Sequence, residues 1–324
     1  MDKSSRVFVA GSRGLAGGAV TRALRQRGYG NLLLPSHGEV DLEDAAQTES
    51  FFERTKPEYV FLAAAKVGGI LANNNFPVEF LLRNLSIEIN VVRAAHRAGV
   101  RRLIFLGSSC IYPRDCLQPI REEYLLTGLL ESTNRPYALA KIAGIELCWS
   151  YNRQFGTRYL AAMPTNLYGP GDNYDLQNSH VLPALIRKMH EAKKAAAPSV
   201  PIWGTGTPRR EFLYSDDLAD ALLFLANLPD PAFDALVHPS QCPLINVGTG
   251  EDLQIGELAS MVARQVGFAG TLEYDRSKPD GTPRKLMDVS KLKALGWQAT
   301  TPLERGIGLA YQDFCRQPQP ASGR

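Results

Sequence analysis

The start of the chain carries the pattern that most restricts its fold. A short apolar run at residues 6–10 is followed at once by three glycines spaced three apart, Gly11, Gly14 and Gly17, and then by an amphipathic stretch closed by Gly28. A strand, a glycine-rich turn and a helix in this order predict a dinucleotide-binding unit, because the glycines let the backbone approach a pyrophosphate at the helix N-terminus. An ordinary strand-to-helix turn is the alternative interpretation.

The alternation of strands and helices continues along the chain. Buried-strand patterns at 59–65, 102–106 and 159–163 each follow a helical stretch, which predicts an α/β protein with a Rossmann-type, doubly wound parallel sheet. From residue 168 onward, glycine- and proline-rich turns predict a smaller C-terminal domain that binds substrate. We therefore expect a nucleotide-binding domain at 1–167 with a returning segment at about 213–248, a substrate-binding domain at about 168–212 and 249–316, and a disordered tail at 317–324.

Composition narrows the classes of protein to consider. The chain has 324 residues, 44% apolar and 21% charged, as globular proteins do, and its net charge of +3 is too small to indicate a nucleic-acid partner. No apolar run is long enough to span a membrane and no signal-peptide core follows Met1, so we expect no membrane association and a cytoplasmic location. Five cysteines without a CxxC pair indicate a reducing compartment and argue against a metal site.

Tyr137 and Lys141 are the first candidates for chemistry. They lie four residues apart in a helical pattern, so the phenol and the ammonium group project from the same face. A neighbouring positive charge favours the phenolate, so we expect the pKa of Tyr137 to fall from about 10 toward neutrality. Such a pair can transfer a proton to or from a carbonyl oxygen. A solvated helix face is the alternative interpretation.

Ser108 is the next candidate. It follows a predicted strand at 103–107, and the carboxyl end of a parallel strand is where a substrate would lie. Its hydroxyl could hydrogen-bond a substrate oxygen there. The spacing does not tell whether Ser108 or Ser109 faces the substrate, and both could merely begin a turn.

Together, Ser108, Tyr137 and Lys141 resemble the Ser/Tyr/Lys set of the short-chain dehydrogenase/reductase superfamily. The glycine pattern, the length and residues 210–217 resemble its extended branch, whose members act mostly on nucleotide sugars. Four further stretches, at 63–74, 107–113, 163–170 and 278–285, are similar to the GDP-L-fucose synthases, and the resemblance runs from Val7 to about Tyr311.

This resemblance implies a bifunctional enzyme that epimerises GDP-4-keto-6-deoxy-D-mannose at C3 and C5 and then reduces the C4 ketone with NADPH to give GDP-L-fucose. It implies that Ser108, Tyr137 and Lys141 act at the C4 oxygen. It also implies that Cys110 and His180 exchange protons at C3 and C5, and the ordinary pKa values of a thiol and an imidazole suit that work. Otherwise, Cys110 would be a small buried hydrophobic residue and His180 a neighbour of a helix N-cap or a surface residue.

The resemblance also implies two sets of binding residues. Trp203 would offer a face to the guanine ring, although it could instead fill the core, and each charged member could be a solvated residue. The substrate set is Ser108, Ser109, Cys110, Asn166, Lys188, Trp203, Arg210, Asp280 and Lys285. The cofactor set is Gly11, Ser12, Arg13, Gly14, Leu15, Gly17, His37, Asp41, Leu42, Ala63, Ala64, Leu106, Gly107, Tyr137, Lys141, Pro164, Asn166, Leu167 and His180.

We expect the cofactor to be NADP(H). Arg13 could meet a 2′-phosphate, and no carboxylate stands at residues 31–38, although Pro35, Ser36 and His37 replace the arginine that the family commonly has there. Analogy with the superfamily implies a homodimer. One alternative is a related GDP-hexose enzyme, such as a GDP-colitose synthase. Another is a non-catalytic dinucleotide-binding regulator, which would be expected to lack Tyr137 or Lys141.

Overall fold

The computed structural model describes residues 1–176, 178–278 and 280–317. The predicted disordered tail beyond Gln317 lies outside the described residues, as do Gln177 and Pro279.

The strands are β1 (Val7–Ala10), β2 (Leu32–Leu33), β3 (Tyr59–Leu62), β4 (Arg102–Leu106), β5 (Tyr159–Pro164), β6 (Asn166–Tyr168), β7 (Ser199–Trp203), β8 (Arg209–Tyr214), β9 (Leu244–Val247), β10 (Asp252–Gln254), β11 (Thr271–Asp275) and β12 (Arg284–Lys285). The α-helices are α1 (Leu15–Gln26), α2 (Ala45–Thr55), α3 (Ile70–Asn75), α4 (Pro77–Arg97), α5 (Arg135–Phe155), α6 (Val181–Lys194), α7 (Ser215–Ala226), α8 (Asp230–Leu236), α9 (Ile255–Val266), α10 (Ser290–Ala294) and α11 (Leu303–Arg316). Short 3₁₀ turns occupy Ser109–Ile111 and Glu122–Tyr124.

A six-stranded parallel sheet in the order β2-β1-β3-β4-β5-β9 forms the centre of the fold. The strand order reverses at β1, where Val7 pairs with both Leu32 of β2 and Tyr59 of β3. Ligands of such sheets bind beside this reversal, at the carboxyl ends of the strands. The predicted doubly wound parallel sheet is confirmed.

Helices cover both faces of this sheet, which explains why its strands are apolar on both sides. On one face, residues of α1 and α7 such as Val20 and Leu222 pack in one buried cluster. On the other face, residues of α4 and α5 such as Val91 and Ile145 pack in a second cluster.

The later elements form a separate layer of strands. β8 pairs with β6, β10 and β12, and β7 pairs with β11. Helices α6, α9 and α11 pack there around a third cluster that includes Ile186, Val262 and Ile307. Between these elements the chain returns to the large sheet, because α7 packs on α1 and β9 pairs with β5. Within the described residues, no helix is both long and apolar enough to cross a membrane.

Candidate active site

All the residues predicted to bind cofactor, to catalyse or to bind substrate line one cavity of about 1130 Å³. The cavity runs from the glycine-rich turn after β1, past the ends of β3, β4 and β5, to β7, β8 and β12. The fold therefore brings together segments that lie far apart in the sequence.

The glycine-rich turn fits a pyrophosphate. Gly14 is the N-cap residue of α1, its position gives the helix no side-chain cap, and the first turn has no acidic residue. A Cβ atom at Gly17 would lie 2.1 Å from the carbonyl oxygen of Gly11, so only glycine permits the turn to close as tightly as it does. The unpaired N–H groups of a helix N-terminus attract an anion.

The adjoining part of the cavity is polar. Ser36 donates hydrogen bonds of 2.7 Å from its N–H and its hydroxyl to Glu39 Oε2, and these bonds, with the nearby charge of Arg13, lower the pKa of Glu39. His37 Nδ1 lies 3.7 Å from Asp41 Oδ1. Arg13 is thus positioned beside the turn that follows β2, where a dinucleotide would place its ribose.

Tyr137 and Lys141 lie on α5, as the spacing predicted. The Tyr137 ring meets the edge of Phe80 from α4, with centroids 6.2 Å apart, and Lys141 Nζ lies 5.9 Å from the Tyr137 ring centroid. Ser108 caps the 3₁₀ turn after β4 and accepts a hydrogen bond from the N–H of Cys110 at 3.4 Å. Its hydroxyl also favours the phenolate of Tyr137. Ser108, rather than the buried Ser109, thus acts on the phenol.

The predicted fall in the pKa of Tyr137 is wrong. Burial raises this pKa well above its ordinary value, the negative charges of Cys110 and Glu88 add to that effect, and the hydroxyl of Ser108 opposes it. The ammonium group of Lys141 is engaged elsewhere, because its Nζ donates to the carbonyl oxygen of Leu106 at 3.1 Å and lies 3.1 Å from Glu88 Oε1.

Glu88 was missed in the sequence. It lies on α4, far from Lys141 along the chain, and a single glutamate in a helix indicates a solvated face. Only the packing of α4 against α5 brings the two side chains together.

Cys110 and His180 share a neighbour in Lys285. Cys110 is 8% exposed, burial raises the pKa of its thiol, and the charge of Lys285 lowers it. His180 is the N-cap residue of α6, and its ring is accessible from the cavity. The surrounding protein lowers the pKa of this imidazole by limiting its hydration, and Lys285 lowers it further. The sequence predicted Lys285 only as a substrate ligand.

The far end of the cavity carries positive charge. Trp203 is 58% exposed, so it does not fill the core, and Lys188 Nζ and Lys278 Nζ lie 5.0 and 5.6 Å from its ring centroid. Arg210 and Lys285 occupy paired positions on neighbouring strands β8 and β12. This arrangement suits a diphosphate joined to an aromatic base.

Two other predicted ligands are held by the protein. Asn166 donates to the carbonyl oxygen of Glu211 at 2.8 Å, and Asp280 accepts hydrogen bonds from the N–H and hydroxyl of Thr205 at 2.9 and 2.7 Å. Asp172 also lines the cavity, and limited hydration raises the pKa of its carboxyl to about 7. The sequence predicted only a turn at Asp172. Among the described residues, no three His, Cys, Asp or Glu side chains form a group that could hold a metal.

Comparisons with known proteins agree with this geometry. Residues 7–235 match the NAD dependent epimerase/dehydratase family. The chain is 53% identical to GDP-L-fucose synthase 1 of Arabidopsis thaliana over 97% of this chain and 94% of the relative, and 52% identical to the GDP-L-fucose synthase of Escherichia coli over 95% and 96%. It is 39% identical to a GDP-L-colitose synthase of Yersinia pseudotuberculosis over 96% and 98%.

A solved structure shares the whole fold. The crystal structure of a GDP-D-glycero-L-gluco-heptose synthase from Campylobacter jejuni, determined in the presence of NADPH, matches with a TM-score of 0.90 and 37% identity, over 97% of this chain and 99% of that one. The chain belongs to the GDP-L-fucose synthase branch of the NAD dependent epimerase/dehydratase family.

Proposed function

We propose that this protein converts GDP-4-keto-6-deoxy-D-mannose to GDP-L-fucose, by epimerisation at C3 and C5 and NADPH-dependent reduction at C4. One observation carries the proposal: the phenol of Tyr137, the thiol of Cys110 and the imidazole of His180 line the same cavity as a cationic end suited to a nucleoside diphosphate. The similarity to the GDP-L-fucose synthases supports it.

The C4 oxygen connects the two reactions. Removal of a proton from C3 or C5, which flank the ketone, places negative charge on this oxygen. Hydrogen bonds from Tyr137 and Ser108 would stabilise that charge, which is the electrostatic effect that lowers the barrier most in such steps. A phenol that stays protonated suits this role, because it can donate both the hydrogen bond and, during reduction, the proton.

Cys110 and His180 would exchange the protons on carbon. Epimerisation needs one group to remove a proton and another to return one from the opposite face. Lys285 favours the thiolate of Cys110 and the neutral form of His180, because its charge lowers both pKa values. Lys188, Arg210 and Lys285 would bind the diphosphate, with Trp203 against the guanine.

The cofactor would lie along the glycine-rich turn. Gly11, Gly14 and Gly17 would hold its pyrophosphate and Arg13 its 2′-phosphate. NADPH, when bound, supplies the hydride that reduces C4. Tyr137 would then donate its proton to the C4 oxygen.

Product identification tests the proposal. Incubation with GDP-4-keto-6-deoxy-D-mannose and NADPH should consume NADPH and give GDP-L-fucose by NMR, whereas Tyr137→Phe should lose both steps. A GDP-colitose synthase would instead act on the 3-deoxy ketosugar, where only C5 needs inversion, and the lower identity to that relative disfavours this alternative. Absence of NADPH oxidation with either sugar would indicate a non-catalytic dinucleotide-binding protein.

We also infer a homodimer that uses the outer face of α4 and α5. Val78, Leu82 and Ile89 share one exposed stripe of α4, and Leu139 is exposed on α5. Sedimentation analysis should give a dimer, and Leu82→Glu should shift it toward monomer. A monomeric wild-type protein would contradict this inference.

We also propose the predicted domain boundaries and the predicted cytoplasmic location of the protein. The return of α7 and β9 to the large sheet supports a nucleotide-binding domain at 1–167 and about 213–248. The five cysteines are all unpaired in the described structure, which supports a reducing compartment such as the cytoplasm.

A further inference from the structure

A buried ion pair lies behind the catalytic cavity. Lys141 Nζ is 3.1 Å from Glu88 Oε1, and the two side chains are only 2% and 1% exposed. Apart from this ion pair, neither Glu88 carboxylate oxygen has a hydrogen-bond partner among the described residues. Burying a carboxylate with so few hydrogen bonds costs folding free energy, so Glu88 is expected to have a role that offsets this cost.

The surrounding fold is shaped to admit this carboxylate. A Cβ atom at Gly144, less than one turn after Lys141 on α5, would lie 2.8 Å from Glu88 Oε2 and 2.5 Å from Phe105 Cζ. Phe105 in turn packs against Lys141, with Nζ 4.7 Å from its ring centroid. Elements α4, α5 and β4 thus build one closed pocket for the pair.

This pocket also fixes the direction of the ammonium group. One N–H of Lys141 is donated to the carbonyl oxygen of Leu106 at 3.1 Å, and a second is directed toward Glu88. An ammonium group has three donors, so one remains for the cavity side, where Tyr137 lies. Glu88 therefore controls both the position and the net charge of the group beside the phenol.

The negative charge of Glu88 raises the pKa of Tyr137. The titratable groups that face Glu88 are Lys141, Tyr137 and Cys148, all on α5, while Cys110 acts on Tyr137 from the 3₁₀ turn. Burial raises the pKa of Glu88 to about 7, and Lys141 opposes that rise. Above this pH Glu88 is an anion, and its charge adds to burial and to Cys110 in disfavouring the phenolate of Tyr137.

We propose that Glu88 is a positioning residue that orients the ammonium group of Lys141, offsets its charge, and thereby adds to the effect of burial in keeping Tyr137 in its protonated, proton-donating form. The kinetic consequence rests on the proposed reductase function, in which Tyr137 must carry a proton to reduce the ketone. The consequence for the phenol itself does not depend on that function.

Glu88→Gln tests the proposal, because it keeps the size of the side chain and removes its charge. The basic limb of the pH profile of kcat for reduction should move to lower pH by about one unit, with the KM for NADPH unchanged. Glu79→Gln makes the same chemical change at an exposed position of α4 and should leave the limb in place.

A second measurement needs no substrate. In protein labelled with ¹³C-tyrosine, the Tyr137 resonance, identified by its loss in Tyr137→Phe, should move toward the phenolate position at lower pH in Glu88→Gln than in the wild type. If this shift occurs but no ketosugar is turned over, the proposed function fails and the role of Glu88 stands. If Glu88→Gln lowers only the melting temperature and leaves the resonance and the limb unchanged, Glu88 is merely structural and the proposal is overturned.

Should Glu88→Gln fail to fold, Glu88→Asp is the second variant. It keeps the charge but withdraws it from Lys141 by one methylene group, so a smaller shift in the same direction is expected. Wild-type behaviour of a folded Glu88→Asp protein in both measurements would then overturn the proposal.

Discussion

At the scale of the residue, the thiol of Cys110 can be separated from the rest of the site. Replacing Cys110 with Ser should slow epimerisation by about 100-fold or more, because a hydroxyl is a much weaker acid than a thiol, while some reduction of the unepimerised sugar persists. Deuterium incorporation from solvent at C3 and C5, compared with NADPH oxidation, measures the two steps. Cys116→Ser is the control, and equal loss of both steps in Cys110→Ser would contradict a separate role for the thiol.

Lys285 gives a second prediction at this scale. Its charge lowers the pKa values of both Cys110 and His180. Lys285→Met should therefore raise both, and the pH at which the thiolate becomes available for exchange at C3 and C5 should rise by about one unit. The pH profile of deuterium exchange measures this, and Lys293→Met, at an exposed position of α10, is the matched control. If Lys285→Met binds substrate more weakly but has an unchanged pH profile of deuterium exchange, the prediction fails, and Lys285 only binds the diphosphate.

The site residues differ in how far the sequence could reveal them. Tyr137 and Lys141 were predictable as a pair because the helical period alone places them on one face. The pKa of Tyr137 was not, because it depends on burial and on the charges of Cys110 and Glu88, which only the packed fold brings to the phenol. Lys285 was predictable as a cation but not as a neighbour of Cys110 and His180, because β12 reaches them only through its pairing with β8.

At the scale of the element, adjacent glycines in α1 differ sharply. A Cβ atom at Gly17 would lie 2.1 Å from the oxygen of Gly11, whereas one at Gly18 would meet only ordinary contacts of 3.5 Å or more. Gly17→Ala should therefore distort the turn, lower the melting temperature and weaken NADPH binding at least about 10-fold. Gly18→Ala should bind NADPH normally and gain about 0.5–1 kcal/mol of stability from its higher helix propensity. Fluorescence titration and thermal melts compare them, and equal binding by both variants would contradict the close-approach argument.

The ends of helices and strands were also only partly predictable, because some depend on the local sequence and others on the packed fold. The sequence pattern predicted a helix only after the three glycines, but α1 begins at Leu15, before Gly17, because Gly14 is the N-cap residue and the glycines in the first turn hide the amphipathic period. The strand predicted at 59–65 ends at Leu62, where the chain leaves the sheet to line the cavity. The alternation of strands and helices predicted a parallel sheet. It did not predict the order of the strands in that sheet, because the sequence of a strand does not show which other strand it pairs with.

At the scale of the whole molecule, the buried Glu88 carboxyl links folding to pH. Burial raises its pKa from 4.5 to about 7 in the folded protein, and in the unfolded chain it returns to the lower value. The folded state therefore binds a proton that the unfolded state releases over this range. The contribution of Glu88 to stability is fully present below about pH 4.5 and is lost as pH rises through 7. The lost contribution is about 3 kcal/mol by this shift.

Glu88→Gln should remove this dependence, because an amide does not titrate. The difference in unfolding free energy between variant and wild type should change by about 3 kcal/mol in favour of the variant from pH 4.5 to pH 8. Any cost of the substitution that does not vary with pH cancels when the difference is followed with pH. Urea denaturation at several pH values measures it, with Glu79→Gln as the exposed control on the same helix. A difference that stays flat with pH would mean that Glu88 keeps an ordinary pKa in the folded protein, since only a shifted group can couple folding to protons.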